Sequence, residues 1–97
     1  MIARSPSVDR LFQTFVNLKS VDECYAYFDD LCTIKEILDM AQRLATAILL
    51  SDKVSYQKIT EEVQVSTATI GRVSKCLQYG AGGYVTAIER LKAEEAK

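Results

Sequence analysis

Ninety-seven residues allow one domain and leave little room for a second. With 48% hydrophobic and 26% charged residues, the chain carries more apolar surface than a monomer of this size readily hides, so a partner chain, by default a second copy, is expected. A formal net charge of −1, from 12 basic and 13 acidic residues, gives no general attraction for nucleic acid, and any such binding needs a local basic surface. Cys24, Cys32 and Cys76 are odd in number and lack C-x-x-C spacing, which argues against a disulfide framework or a zinc site. They read as buried or half-buried thiols that act as small hydrophobes in a reducing compartment. No apolar run reaches the ~18 residues of a membrane span, and the first six residues lack the apolar stretch of a secretory signal. The cytoplasm is the expected location.

Ser5 followed by Pro6 reads as a helix cap with proline at the first helical position. Val8, Leu11, Phe12, Phe15 and Val16 then recur at helical spacing, predicting a first helix near 6–18. Ser20 opens a capping box closed by Glu23, and Val21, Cys24, Tyr25 and Phe28 share one face of a second helix near 21–31. Thr33 opens another box, closed by Glu36. Behind it Ile34, Ile37, Leu38, Ala41, Leu44, Ala45, Ile48 and Leu49 hold one stripe through a long third helix near 34–51. Periodicity fits a dimer core and the buried centre of a monomeric bundle equally well. Short helices are expected near 55–63 and 67–79. Gly80-Ala81-Gly82-Gly83 breaks the pattern before a last helix near 84–95 that carries Val85, Ile88 and Leu91. No strand-like alternation occurs, and the expected fold is all-α with about six helices.

The informative stretch is SYQKITEEVQVSTATIGRVSKCL, residues 55–77. Ser55 and Ser66 suit helix caps. Ile59 and Val63 anchor the first helix, Ile70, Val73 and Leu77 the second, and Val65 is placed to plug the angle between them. A short turn and apolar anchors of this kind force the steep crossing of a helix-turn-helix. With those anchors inward, the second helix presents Thr67, Ala68, Gly71, Arg72 and Lys75 outward. Small residues at Ala68 and Gly71 permit close approach to a major groove, and Thr67 and Thr69 offer hydroxyls to phosphates or base edges. Arg72 and Lys75 reach guanine or backbone, and Ser66 lies at an anion-friendly helix start. On the preceding helix Tyr56, Gln57, Lys58 and Thr60 would face the flanking backbone of double-stranded DNA. Gln64 stands where glycine often begins such a turn and would need a strained or differently shaped one. Glu61 and Glu62 add negative charge beside the expected DNA face, and a purely structural helical corner shares the same spacing.

Four blocks, CYAYFDDLCTIKE (24–36), AQRL (41–44), STATIGRV (66–73) and CLQYGAGGY (76–84), together resemble the YerC/YecD branch of the Trp-repressor-like family over residues 10–88. The resemblance implies an intertwined homodimer whose two helix-turn-helix heads read operator half-sites and repress transcription. It implies base contacts at Thr67, Ala68 and Gly71 and phosphate proximity at Tyr56, Gln57 and Thr60, although Gly71 stands where the family usually has a hydroxyl residue. Arg72 matches one of two arginines of the family's tryptophan pocket. The other falls at Gln42, next to Arg43, while Val73 replaces a glycine and Cys76 a serine. Any ligand site would draw on Gln42, Arg43, Arg72 and Cys76, and these changes argue against tryptophan as corepressor, so no cofactor is expected.

An enzyme is not expected. The chain has no histidine, which removes the commonest general base and metal ligand, and no phosphate loop or nucleophile elbow is present. The competing reading is a helical protein-interaction module that has lost DNA affinity, motivated by the acidic balance, Gln64 and the Glu61-Glu62 pair.

Overall fold

The structure, a computed structural model, describes residues 1–97. It contains six helices and no strand: α1 Pro6–Val16, α2 Val21–Leu31, α3 Ile34–Ser51, α4 Tyr56–Val63, α5 Thr67–Tyr79 and α6 Gly83–Glu95. The chain divides into two compact units, Met1–Ile37 and Leu38–Lys97. No helix is long and apolar enough to cross a membrane.

In the first unit the expected caps form. The Ser5 hydroxyl accepts the Val8 N–H at 3.1 Å, and Ser20 accepts the Glu23 N–H at 3.1 Å. Glu23 reaches back to the Lys19 N–H at 3.2 Å, one residue before the cap. The Thr33 box is fully reciprocal: Thr33 Oγ1 accepts the Glu36 N–H at 3.1 Å, and Glu36 Oε1 accepts the Thr33 N–H at 2.8 Å. These bonds from the Thr33 backbone and hydroxyl hold the Glu36 carboxyl below the usual carboxylate range. The stability linked to this depressed pKa is present above the unfolded-state value and is lost as pH falls through the folded one.

Helix α1 ends at Val16, two residues short of the expected boundary, with Asn17 as its C-cap. Phe15 centres an aromatic cluster, its ring 5.9 Å from Phe12, 6.0 Å from Tyr27 and 5.0 Å from Phe28. The Tyr27 hydroxyl lies 2.7 Å from Thr14 Oγ1. The expected face of α2 is thus corrected: Tyr27 packs inward with Phe28, whereas Tyr25 and Val21 are 76% and 71% exposed. Tyr25 and Tyr27 lie on different faces, but each shares one with Cys24 and Phe28, so the period alone does not choose between them.

The second unit has two buried clusters. Ile59, Val65 and Ile70 form one, lined by Leu49, Leu50, Val54 and Val63. Ala47, Val73 and Ile88 form the other, lined by Leu44, Ile48, Leu50, Leu77 and Tyr84. The expected stripe of α3 is only half-buried at Leu44, Ala45, Ile48 and Leu49, and it is exposed at Ile34 and Leu38. Thr46 and Ala47 are the fully buried positions instead. The Thr46 hydroxyl donates to the Gln42 carbonyl at 2.8 Å, so its burial leaves no polar atom unsatisfied. In α6, Ile88 is buried and Leu91 half-buried, whereas Val85 is exposed. An ion pair between Lys92 and Asp52 links α6 to the end of α3; at such exposure it adds little. Among the glycines that break the chain before α6, Gly80 is required by space, because a Cβ there would meet the Cys76 carbonyl oxygen at 2.4 Å.

Helix α3 closes in a Schellman turn. The Val54 N–H donates to the Leu49 carbonyl at 3.0 Å and the Lys53 N–H to the Leu50 carbonyl at 3.1 Å. Lys53 takes the left-handed conformation, φ 64, that glycine occupies most cheaply. Lys53→Gly is expected to stabilise the fold by about 0.5–1 kcal/mol, visible as a midpoint shift in urea unfolding; a destabilised variant would show that the Lys53 side chain holds this turn.

Candidate nucleic-acid interface

Residues 55–79 place two short helices around a turn of Gln64, Val65 and Ser66. Ser55 Oγ accepts the Lys58 N–H at 3.3 Å and starts α4. Gln64 ends that helix in the left-handed region, φ 59 and ψ 45, with its N–H donating to the Thr60 carbonyl at 3.0 Å. Of the two expected alternatives this is the strained one: Gln64 takes the left-handed backbone that glycine adopts most cheaply. Ser66 Oγ accepts the Thr69 N–H at 3.2 Å and starts α5. Ile59 and Ile70 are fully buried and Val65 is 7% exposed, so one apolar residue from each element meets at the crossing.

That burial decides what faces outward. Val73 is buried and Leu77 half-buried, in register with Ile70 at spacings of three and four. Thr67, Ala68, Arg72 and Lys75 are exposed, and Gly71 is half-buried with no atom within 4 Å of where a Cβ would stand. Neither Arg72 nor Lys75 has an ion-pair partner within the chain. Both cations are therefore available to an external anion without first breaking an internal contact. On α4, Tyr56, Gln57 and Lys58 are exposed, as are Glu61 and Glu62.

Two predicted hydroxyls, those of Thr60 and Thr69, are engaged within the chain. Thr60 is half-buried and donates to the Gln57 carbonyl at 2.6 Å, which leaves it no proton for a phosphate. Thr69 is half-buried with its hydroxyl 3.1 Å from that of Ser66, so both serve the start of α5. The residues considered for a ligand divide similarly. Cys76 and Arg43 are exposed, which corrects the expected burial of the cysteines at this one position (Cys24 and Cys32 are half-buried), and Arg72 shares a face of α5 with Cys76. Gln42 is half-buried, and its side-chain amide donates to the carbonyls of Val63 at 3.3 Å and Gln64 at 3.5 Å. Nothing in the spacing of Gln42 signals this contact, because its partners are backbone atoms more than twenty residues away.

An all-helical chain with a capped, sterically aimed second helix and two unpaired cations on its outer face is a helix-turn-helix protein of the regulatory type. The family model for the Trp repressor protein matches residues 6–92. Over 94 residues the chain is 47% identical to the uncharacterized protein YerC of Bacillus subtilis, covering 97% of this chain and 90% of that one. A solved structure from Staphylococcus aureus, described as a candidate Trp repressor, superposes with a TM-score of 0.88 at 39% identity, covering 92% of this chain and 89% of the other. A TrpR-like protein from Eubacterium eligens superposes with a TM-score of 0.89 at 44% identity, covering 92% of each. The chain belongs to the Trp repressor family, and this family and fold are those of regulatory DNA-binding proteins rather than enzymes.

The open space at Gly71 makes a direct prediction. Gly71→Ala adds a methyl group that meets nothing and removes a mid-helix glycine, so thermal unfolding should rise by the equivalent of about 0.5–1 kcal/mol. An unchanged or lower midpoint would mean that the space is occupied in solution.

Proposed function

We propose that this chain is a sequence-specific DNA-binding transcriptional repressor that acts as a homodimer in the cytoplasm. The observation that carries the reading is the outer face of α5, where Thr67, Ala68, Gly71, Arg72 and Lys75 are presented while Ile70 and Val73 hold the helix from behind. Ala68 and Gly71 let the helix backbone approach a major-groove floor, Thr67 meets base edges, and Arg72 and Lys75 engage guanine or phosphate. Tyr56, Gln57 and Lys58 flank the site toward the neighbouring backbone. Ser66 and Thr69 contribute through the start of α5, whose first N–H groups favour a phosphate.

Dimerisation is supported by the apolar surface that a single chain leaves bare. Val16, Val21, Tyr25, Ile34 and Leu38 are each more than 60% exposed. Burying side chains of this size contributes roughly 1.5–3 kcal/mol apiece. A twofold dimer would set two reading helices about 34 Å apart on a palindromic site.

Repression in this reading does not use tryptophan. Val73 is packed against Ala47 and Ile88, filling space where the family resemblance implies glycine, and the Gln42 amide is already occupied by backbone carbonyls. Neither change favours an indole and its carboxylate.

Selection from a random duplex pool followed by fluorescence polarisation across salt concentrations tests the proposal. Wild type should bind the selected sequence with an affinity that falls steeply with salt. Arg72→Ala and Lys75→Ala should each weaken binding by about 1–3 kcal/mol with helical circular dichroism unchanged. Binding indifferent to both sequence and salt would contradict the proposal. So would protein partners that survive nuclease treatment in place of DNA, the outcome expected of an interaction module.

A further inference from the structure

The last carbonyls of a helix have no intrahelical partner and need one from elsewhere. At the end of α4 two of them, on Val63 and Gln64, receive the Gln42 side-chain amide at 3.3 and 3.5 Å. Both partners are acceptors, so only the NH₂ end of the amide fits there, and its two protons match two carbonyls. The residue served is the strained one. Gln64 sits at φ 59 without being glycine, a conformation that costs about 1–2 kcal/mol and persists only when its surroundings hold it. Val65 anchors the turn from within the buried cluster, and Gln42 holds the carbonyls just before it.

The base of Gln42 is equally well fixed. Its own carbonyl accepts the hydroxyl of the fully buried Thr46, and Ala47 beside it is buried against Val73 of α5. We infer that Gln42 is a positioning residue: its amide clamps the turn between α4 and α5 to α3 and so holds the reading helix in its DNA-binding direction without a bound effector. The inference rests on the DNA-binding reading above and deepens it by naming the contact that fixes the direction of α5.

Three variants test the clamp in the full-length protein. Gln42→Met keeps the approximate length and removes the donors, Gln42→Glu keeps the shape and offers only acceptors, and Gln42→Lys restores donors. Two measurements are made: affinity for the selected duplex, and hydrogen–deuterium exchange over residues 63–68 of the free protein. Gln42→Met should lose roughly five- to tenfold in affinity, the equivalent of one net hydrogen bond, and Gln42→Glu more, since its carboxylate faces two carbonyl oxygens. Both should exchange faster at 63–68 with α1 and α2 unchanged, and Gln42→Lys should return both readouts close to wild type. Gln42→Met with wild-type affinity and wild-type exchange at 63–68 would overturn the inference. Failure of Gln42→Lys to restore either readout would also overturn it, by showing that bulk rather than donation matters. If wild type bound no selected duplex, the DNA reading would fall, and the exchange data would still decide whether the clamp exists.

Discussion

Ile59, Val65 and Ile70 leave water together, and their burial dictates how α4 and α5 cross. The three come from α4, the turn and α5, and they meet because Gln64 accepts a left-handed backbone that folds the chain sharply enough to bring them together. Each buried aliphatic side chain contributes about 1.5–3 kcal/mol, enough together to offset the strain at Gln64. Once they are buried, the direction of α5 is no longer free. Its outer face follows from the 3.6-residue period, and with it the placement of Arg72 and Lys75.

Around that turn the central helix acts as a frame. Leu49 and Leu50 line the cluster from α3, Leu50 also lines the second cluster, and the Schellman turn at Lys53 returns Val54 onto the same side. The overall charge of −1 is compatible with a DNA surface because the cations are local: Arg72 and Lys75 are unpaired, while the Lys92 charge is engaged with Asp52. Glu61 and Glu62 remain exposed on α4. They would oppose nonspecific attraction more than contacts made at the groove, since screening over a Debye length of about 8–10 Å confines each charge to its neighbourhood.

Much of this was legible in the sequence, for physical reasons that differ between elements. Ser5, Ser20, Thr33, Ser55 and Ser66 marked helix starts because a side-chain oxygen there satisfies a donor only a few residues away. Ile59, Val65, Ile70 and Val73 were legible as anchors because short helices with few apolar residues leave little choice of inward face. Long apolar stripes were less informative. In α3 the period marks a face but not what covers it, and the fully buried positions are Thr46 and Ala47, two small residues that no hydrophobic pattern singles out. In α2, Tyr25 and Tyr27 compete for the same core and only Phe15 decides between them. Gln42 was legible only as a departure from the family pattern. Its partners are backbone carbonyls of Val63 and Gln64, which no side-chain pattern encodes. The same blindness applies to Thr60 and Thr69, whose hydroxyls look available in sequence and are turned to their own helices in three dimensions.

If α5 is the helix that meets DNA, its outward residues must feel the duplex first. The decisive experiment follows backbone amide resonances of the wild-type protein while a selected duplex is titrated in. The largest shifts should fall on Thr67, Ala68, Gly71, Arg72 and Lys75, with smaller ones on Tyr56, Gln57 and Lys58. Shifts concentrated in the first unit, or on α6 with α5 unperturbed, would contradict that placement.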